Sequence, residues 1–431
     1  LLLFTPATDG WNLSLVAITI KRESEKDVPF FVLMRRQNLR SLCENPVPLR
    51  QNNTVKIAVN TRLLIKDKLE GIGWFTYENL RRITTQHPEH TFYFLFDRKF
   101  HPSFIFADNV VPLVVPPQAR HPLLYYLWFE FSVPRVLKKI GAQMFFSPDG
   151  YLSLKTQVPS MNVFHDLNFE HYPQDLPRAE RRFYRNYFPE YAFKARRIAT
   201  VSEYSKQDTV KLYGVDKDKI DVVYNGANER FVPLDEATRM ATRKKYTGGA
   251  PYFLFIGSLH PRKNLARLFP AYDAFKATDT QGVKLLIVGE KKWWTSEIED
   301  AYNSMQWRDE VVFSGRLRVD ELHHVLASAL ATTYVSYFEG FGIPIVESFY
   351  CDVPVVTSNV TSMPEVAGDA ALLVDPFSIP SITDALQQIA TSADLREDLI
   401  EKGRERRKMF SWQKTSERLW CSMEKLIEQI D

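Results

Sequence analysis

The sequence predicts an α/β protein of two parallel sheets, each built from strands alternating with helices. Apolar, β-prone runs recur between residues 55 and 376, with longer polar stretches between them. A polar segment ending in Thr247-Gly248-Gly249-Ala250-Pro251 interrupts the alternation, so one sheet is expected on each side. A chain of 431 residues is also too long for one ordinary core.

Residues 1–53 show no sustained period, start with Leu rather than Met, and are expected to be an extension outside the fold. The first strand is expected at 55–60, followed by a polar loop through Gly71-Ile72-Gly73, a helix over 74–83 and a strand over 91–96. A strand, a glycine loop and a helix make half of a Rossmann-like unit. Gly71 and Gly73 are candidates to face a ligand, with a plain tight-turn role as the alternative. Strands follow at 143–148 and 160–164, the second ending in His165-Asp166. A His at a strand's carboxyl end faces the crevice where open α/β sheets bind ligands, which makes His165 a candidate. Between Arg178 and Arg197, seven basic residues alternate with six aromatic ones. Two readings stand here: an interfacial patch for an anionic membrane or lipid-diphosphate acceptor, and a solvated helix whose aromatics pack inward. A strand at 198–202 leads to a capped helix, and 222–226 closes the first domain. Asp216-Lys217-Asp218 has the spacing of a metal motif but sits in an alternating-charge loop and reads as solvated surface.

The second domain opens with an apolar strand at 252–257, leading to His260-Pro261-Arg262-Lys263-Asn264 and a helix. Strands at 283–289 and 311–315 follow. An apolar strand at 329–336 then runs into Tyr337-Phe338-Glu339-Gly340-Phe341-Gly342-Ile343-Pro344, with Glu347 three residues on. The glycines permit a sharp turn with close backbone approach, and Pro344 suits a helix start, where its missing N–H is not needed. The free N–H groups of Phe341, Gly342 and Ile343 can therefore receive an anion. Arg262 and Lys263 could neutralise a diphosphate. Glu339 and Glu347, flanking the loop, are better suited to accepting hydrogen bonds from hydroxyls, as a sugar and a ribose would offer. A later strand is expected at 353–357, with the segments 363–368 and 372–376 after it, and Ser411 can cap a final amphipathic helix.

Composition narrows the function. The formal charge of +3 gives no support for nucleic-acid binding, and the three widely spaced cysteines fit reduced thiols in a cytoplasmic protein. No run of 18 apolar residues exists, and residues 1–20 lack the basic start of a signal peptide.

The glycine loop with its two acids resembles the Glu-x7-Glu motif of glycosyltransferase family 4, retaining enzymes of the GT-B fold. The resemblance runs from about residue 55 to the C-terminus. It implies two Rossmann-like domains facing each other across a cleft: an acceptor-side domain over 54–226, a linker over 227–250, a donor domain over 251–410, and a final helix over 411–431 that crosses back. It implies a nucleotide-sugar donor (GDP- or UDP-linked, GDP-mannose among them) and a glycan or lipid-linked acceptor in surface-polysaccharide assembly. On this resemblance His165 approaches the transferred sugar, Glu339 contacts its hydroxyls, Glu347 holds the ribose, and Gly71 and Gly73 face the diphosphate. No cofactor or metal is implied, and the protein would work in the cytoplasm or on the inner face of the plasma membrane. One departure is Ser258, where many members carry Arg after the first glycine of this domain; Arg262 would supply that contact. The alternatives are a sugar-nucleotide epimerase or glucan phosphorylase on a similar scaffold, and a binding subunit that has lost catalysis.

Overall fold

A computed structural model describes residues 54–430; the expectations for residues 1–53 fall outside the described part. Two parallel sheets follow one another along the chain. The first holds β1 (Lys56–Asn60), β2 (Thr91–Phe96), β3 (Val110–Val114), β4 (Met144–Ser147), β5 (Ser160–Phe164), β6 (Arg197–Thr200) and β7 (Ile220–Val222) in the order β3-β2-β1-β4-β5-β6-β7. The second holds β8 (Tyr252–Ile256), β9 (Lys284–Val288), β10 (Val311–Gly315), β11 (Ala331–Tyr334), β12 (Val355–Ser358) and β13 (Leu372–Val374) in the order β10-β9-β8-β11-β12-β13.

The strands read as continuous apolar runs because both faces of each sheet are covered. Alternation along a strand divides the side chains between two cores. Ile57, Val59, Phe92, Phe94, Met144 and Phe146 pack with Phe75, Leu80 and Ile83 of the helix Gly71–Gln86. Ala58, Leu95, Phe145 and Phe164 point the other way, towards Trp128, Phe129 and Tyr191. In the second sheet Phe253, Phe255, Leu285 and Ile287 face one core and Tyr252, Leu254, Leu286 and Val288 the other.

The last helix, Trp412–Ile427, starts where Ser411 Oγ accepts the Lys414 N–H at 3.2 Å. It lies on the first domain. Trp412, Leu419, Met423 and Leu426 join the core beneath Gly71–Gln86, and Thr415 Oγ1 donates to Tyr224 O at 2.6 Å. Lys425 and Ser422 both reach Asp221 on β7, at 2.9 and 2.5 Å. Gly226 is needed where the chain passes beneath this helix, since a Cβ there would lie 2.2 Å from Trp412 N.

One expectation changes. Gly71 and Gly73 are not in a loop: they form the first turn of the helix Gly71–Gln86. Glycine's poor helix propensity is overridden because Gly73 sits against Leu63 O and Leu69, each 3.2 Å from where a Cβ would be. The polar helix expected in the linker is Glu236–Thr247, and Arg243 Nε ties it to the second domain by donating to Ser328 O at 2.9 Å.

The helix Arg178–Lys194 turns Phe183, Phe188 and Tyr191 inward, while Arg178, Arg182 and Arg185 are exposed. Phe193 is the exception among its aromatics, 59% exposed. Asp216 caps a short turn by accepting the Asp218 N–H at 2.9 Å. No helix among the described residues is long and apolar enough to cross a membrane.

Candidate active site

The carboxyl ends of β5 and β6 meet the carboxyl end of β11, so the two sheets share one crevice. The closest approach is main chain against main chain. A Cβ on Gly340 would lie 1.8 Å from His165 O, so only glycine fits. Ser202 Oγ, following β6, donates to Gly340 O at 2.7 Å. Glu365 of the second domain accepts the N–H groups of Glu203 and Tyr204 at 2.7 and 2.9 Å, which caps the helix Glu203–Tyr213 of the first.

Glu339 sits at the centre. Its Oε2 is 2.5 Å from Arg262 Nη1 and its Oε1 2.6 Å from Lys263 Nζ. Lys263 Nζ also donates to Tyr334 OH at 2.6 Å, and Arg262 Nη1 to Phe338 O at 3.1 Å. Glu339 and Lys263 are buried, Arg262 is partly so, and two cations face one anion. Burial pushes the Glu339 carboxyl up, but Arg262 and then Lys263 outweigh it and hold it at about 2. Burial is also the largest influence on Lys263 and lowers it to about 8, Glu339 offsetting only part. The cluster therefore carries an excess positive charge, in a place where charge interactions are strong. Asn264 fixes the turn that presents both cations. It has a φ of +66°, and its Nδ2 donates to Val335 O and Pro376 O at 2.9 and 2.7 Å.

The helix Ile343–Tyr350 starts beside this cluster, after Gly342 at φ +99°. Ile343 is its first residue and Pro344 its second, so the early N–H groups are unused by the helix. Phe341 is buried and packs 5.6 Å from the Phe410 ring. One turn along, Glu347 is half-buried; burial alone raises its carboxyl to about 8, and no charged group relieves it.

His165 lies on the other wall. Its Nε2 is 2.8 Å from Pro148 O; a carbonyl only accepts, so the proton is on Nε2 and Nδ1 is left as an acceptor. Burial lowers this imidazole and keeps it neutral at pH 7. Phe75 holds the ring edge-on at 5.0 Å, which links His165 to the helix begun by Gly71 and Gly73. That helix start also faces the second domain, with Arg316 Nη2 donating to Leu69 O at 3.4 Å.

The structure thus gathers Glu339, Arg262 and Lys263 into one cluster, with Phe341, Gly342 and Ile343 at its edge. His165 stands across Gly340, and Glu347 lies one turn deeper. Gly71 and Gly73 open the helix that carries Phe75, whose ring packs on His165. Sequence reasoning missed Tyr334, the hydroxyl on Lys263, although it is the last residue of β11 and so lies at the crevice. It also missed Asp166, whose charge acts on Arg262, Lys263 and His260. The clasp made by Ser202 and Glu365 leaves no local pattern in the sequence.

Two facing parallel-sheet domains with the reactive groups at their shared carboxyl edge define the GT-B class of glycosyltransferases. Comparison with known proteins agrees: residues 69–231 match Glycosyltransferase Family 4 and residues 239–406 match Glycosyl transferases group 1. The chain belongs to this glycosyltransferase family and is a hexosyltransferase. It is 29% identical over 298 residues to the O-antigen chain mannosyltransferase B of Escherichia coli, covering 68% of this chain and 78% of that one. Among solved structures, sucrose-phosphate synthase from Thermosynechococcus elongatus superimposes with a TM-score of 0.71 at 17% identity, over 87% of this chain and all of that one, 100%. HepE from Anabaena, solved with UDP and glucose, gives 0.68 at 14% identity, over 86% and 100%.

Proposed function

We propose that the protein moves a hexose, mannose in particular, from a GDP- or UDP-sugar to a glycan or lipid-linked acceptor during surface-polysaccharide synthesis. The transfer retains anomeric configuration and needs no metal or other cofactor. The observation that carries this is the Glu339–Arg262–Lys263 cluster beside the helix start at Gly342. The mannosyltransferase named above supports the sugar and the pathway class, and the UDP and glucose of HepE support the donor class.

On donor binding, the diphosphate competes with Glu339 for the two cations. Charge-assisted bonds from Arg262 and Lys263, with N–H groups at the helix start, stabilise the charge that grows as the sugar–oxygen bond breaks. These groups do what a divalent cation does in metal-dependent transferases, which is the argument for metal independence. Glu339, kept ionised by the same cations, accepts hydrogen bonds from sugar hydroxyls. Glu347 accepts from the ribose. His165, with Nδ1 free to accept, approaches the sugar from the first domain. The acceptor hydroxyl adds on the face from which the diphosphate leaves and passes its proton to the departing phosphate, so the configuration is kept. The exposed arginines of Arg178–Lys194 would hold the enzyme at the anionic inner face of the plasma membrane, where a lipid-linked acceptor resides.

The test is transfer from a panel of GDP-, UDP-, ADP- and dTDP-sugars, with and without EDTA, the anomeric proton of the product being read by NMR. Retained configuration with activity unchanged by EDTA is expected. Inversion, or loss in EDTA restored by manganese, would overturn the mechanism.

A further inference from the structure

The second domain has a cavity that the proposed reaction does not use. It lies at the amino-terminal edge of the second sheet, lined by the residues leading into β11 and β12, Leu330 and Pro354 among them. Four residues of β11 separate it from the crevice, which is about 13 Å of strand. Its volume is about 330 Å³, within the range of small-molecule sites.

Four arginines line it. Arg239 and Arg243 come one turn apart from the helix Glu236–Thr247; Arg396 and Arg404 come from the helix Ala393–Arg406. Only two acids share the lining, Asp352 and Glu397. Asp352 is already gripped by Arg404, with oxygens at 3.1 and 2.8 Å, and by Arg407 at 3.2 Å. The remaining charge is poorly answered. Arg239 Nη1 meets Glu236 at 3.2 Å, but its Nε is buried with no hydrogen-bond partner among the described residues. Such a donor is rare and costs free energy unless something accepts from it. Arg243 is half-buried, with its Nε on the Ser328 carbonyl and with Arg239 as a like-charged neighbour. Arg396 spends Nη1 on the carbonyls of Ile389 and Ala390.

We propose that this cavity is a second anion site, built to hold a small phosphate-bearing molecule away from the donor crevice. Guanidinium groups converging from two helices suit a multiply charged oxyanion, whose acceptors match their N–H forks. The size admits a phosphorylated monosaccharide or a diphosphate. The site also touches the far end of the donor helix: Ile343–Tyr350 begins at Gly342 in the crevice and is capped at Cys351, in this lining. A ligand here therefore contacts the element whose other end receives the donor.

Pyrophosphate is the probe, titrated calorimetrically at constant ionic strength into wild type, Lys263→Ala and Arg239→Ala. Two sites are expected in the wild type. Lys263→Ala should weaken one of them, while Arg239→Ala weakens the other about tenfold or more and leaves nucleoside-diphosphate affinity unchanged. Arg243→Lys, which keeps the charge but loses the fork, serves as a second variant should Arg239→Ala fold poorly. A single site abolished by Lys263→Ala and indifferent to both arginine changes would overturn the proposal. Because the nucleotide is measured separately, failure here is distinct from failure of the donor assignment.

Discussion

Replacing Glu347 by Gln should stabilise the protein, and the gain should grow with pH. In the folded state burial raises this carboxyl from 4.5 to about 8. Below pH 4.5 both folded and unfolded chains hold the proton, and the residue adds nothing to the pH dependence. Above it the unfolded chain releases the proton while the folded one keeps it, so wild-type stability falls until the pH passes about 8. At about 1.36 kcal/mol per pH unit, the full penalty approaches ~5 kcal/mol by pH 8.5, and ~3 kcal/mol at pH 7. Glutamine keeps the shape and cannot ionise. For a fold of this size each kcal/mol moves the midpoint by about 1–2 °C. Thermal melts of both proteins from pH 5 to 9 at fixed ionic strength should give nearly coincident midpoints at pH 5 and a variant higher by about 5 °C at pH 8.5. A constant offset, or a variant less stable throughout, would refute the claim that Glu347 is held protonated by burial. The same variant should raise KM for the donor, since an amide then meets the ribose in place of the carboxyl group.

Glu339→Gln should chiefly lower kcat, because contacts to the sugar must strengthen as charge develops at the anomeric carbon, and steady-state kinetics will separate this from a KM effect. Lys263→Ala should weaken nucleoside-diphosphate binding by ~1.5–3 kcal/mol in calorimetry; unchanged affinity would remove Lys263 from the diphosphate site. Gly340→Ala should lower kcat by roughly a hundredfold and stability by ~2–4 kcal/mol, because its Cβ cannot coexist with His165 O in the closed crevice. Binding to anionic vesicles should decline with salt and with Arg178, Arg182 and Arg185 changed to Glu; equal co-sedimentation of both proteins would dismiss the membrane role.

Much of the architecture was legible because a strand covered on both faces must be apolar throughout, as 252–256 and 285–288 are. The donor loop was legible because Gly342, Pro344 and the two acids are local and each has its own geometric reason. What could not be read depends on distant partners. Glu339 and Arg262 are 77 residues apart, and nothing near either member announces the other. The pairing matters, since the two cations expected to wait for a diphosphate already share Glu339. Gly71 and Gly73 misled for the opposite reason. Their local preference is real, but at Gly73 contact with Leu63 and Leu69 outweighs it.

The return of Trp412–Ile427 to the first sheet bears on how the chain matures. Translation delivers residues 54–226 early, yet the core beneath Gly71–Gln86 lacks Trp412, Leu419, Met423 and Leu426 until the final residues emerge. The first domain therefore waits, with Phe75 and Ile83 incompletely covered, while the whole donor domain is made. Completion of the first domain's core thus depends on a helix that follows the donor domain in the chain, Trp412–Ile427.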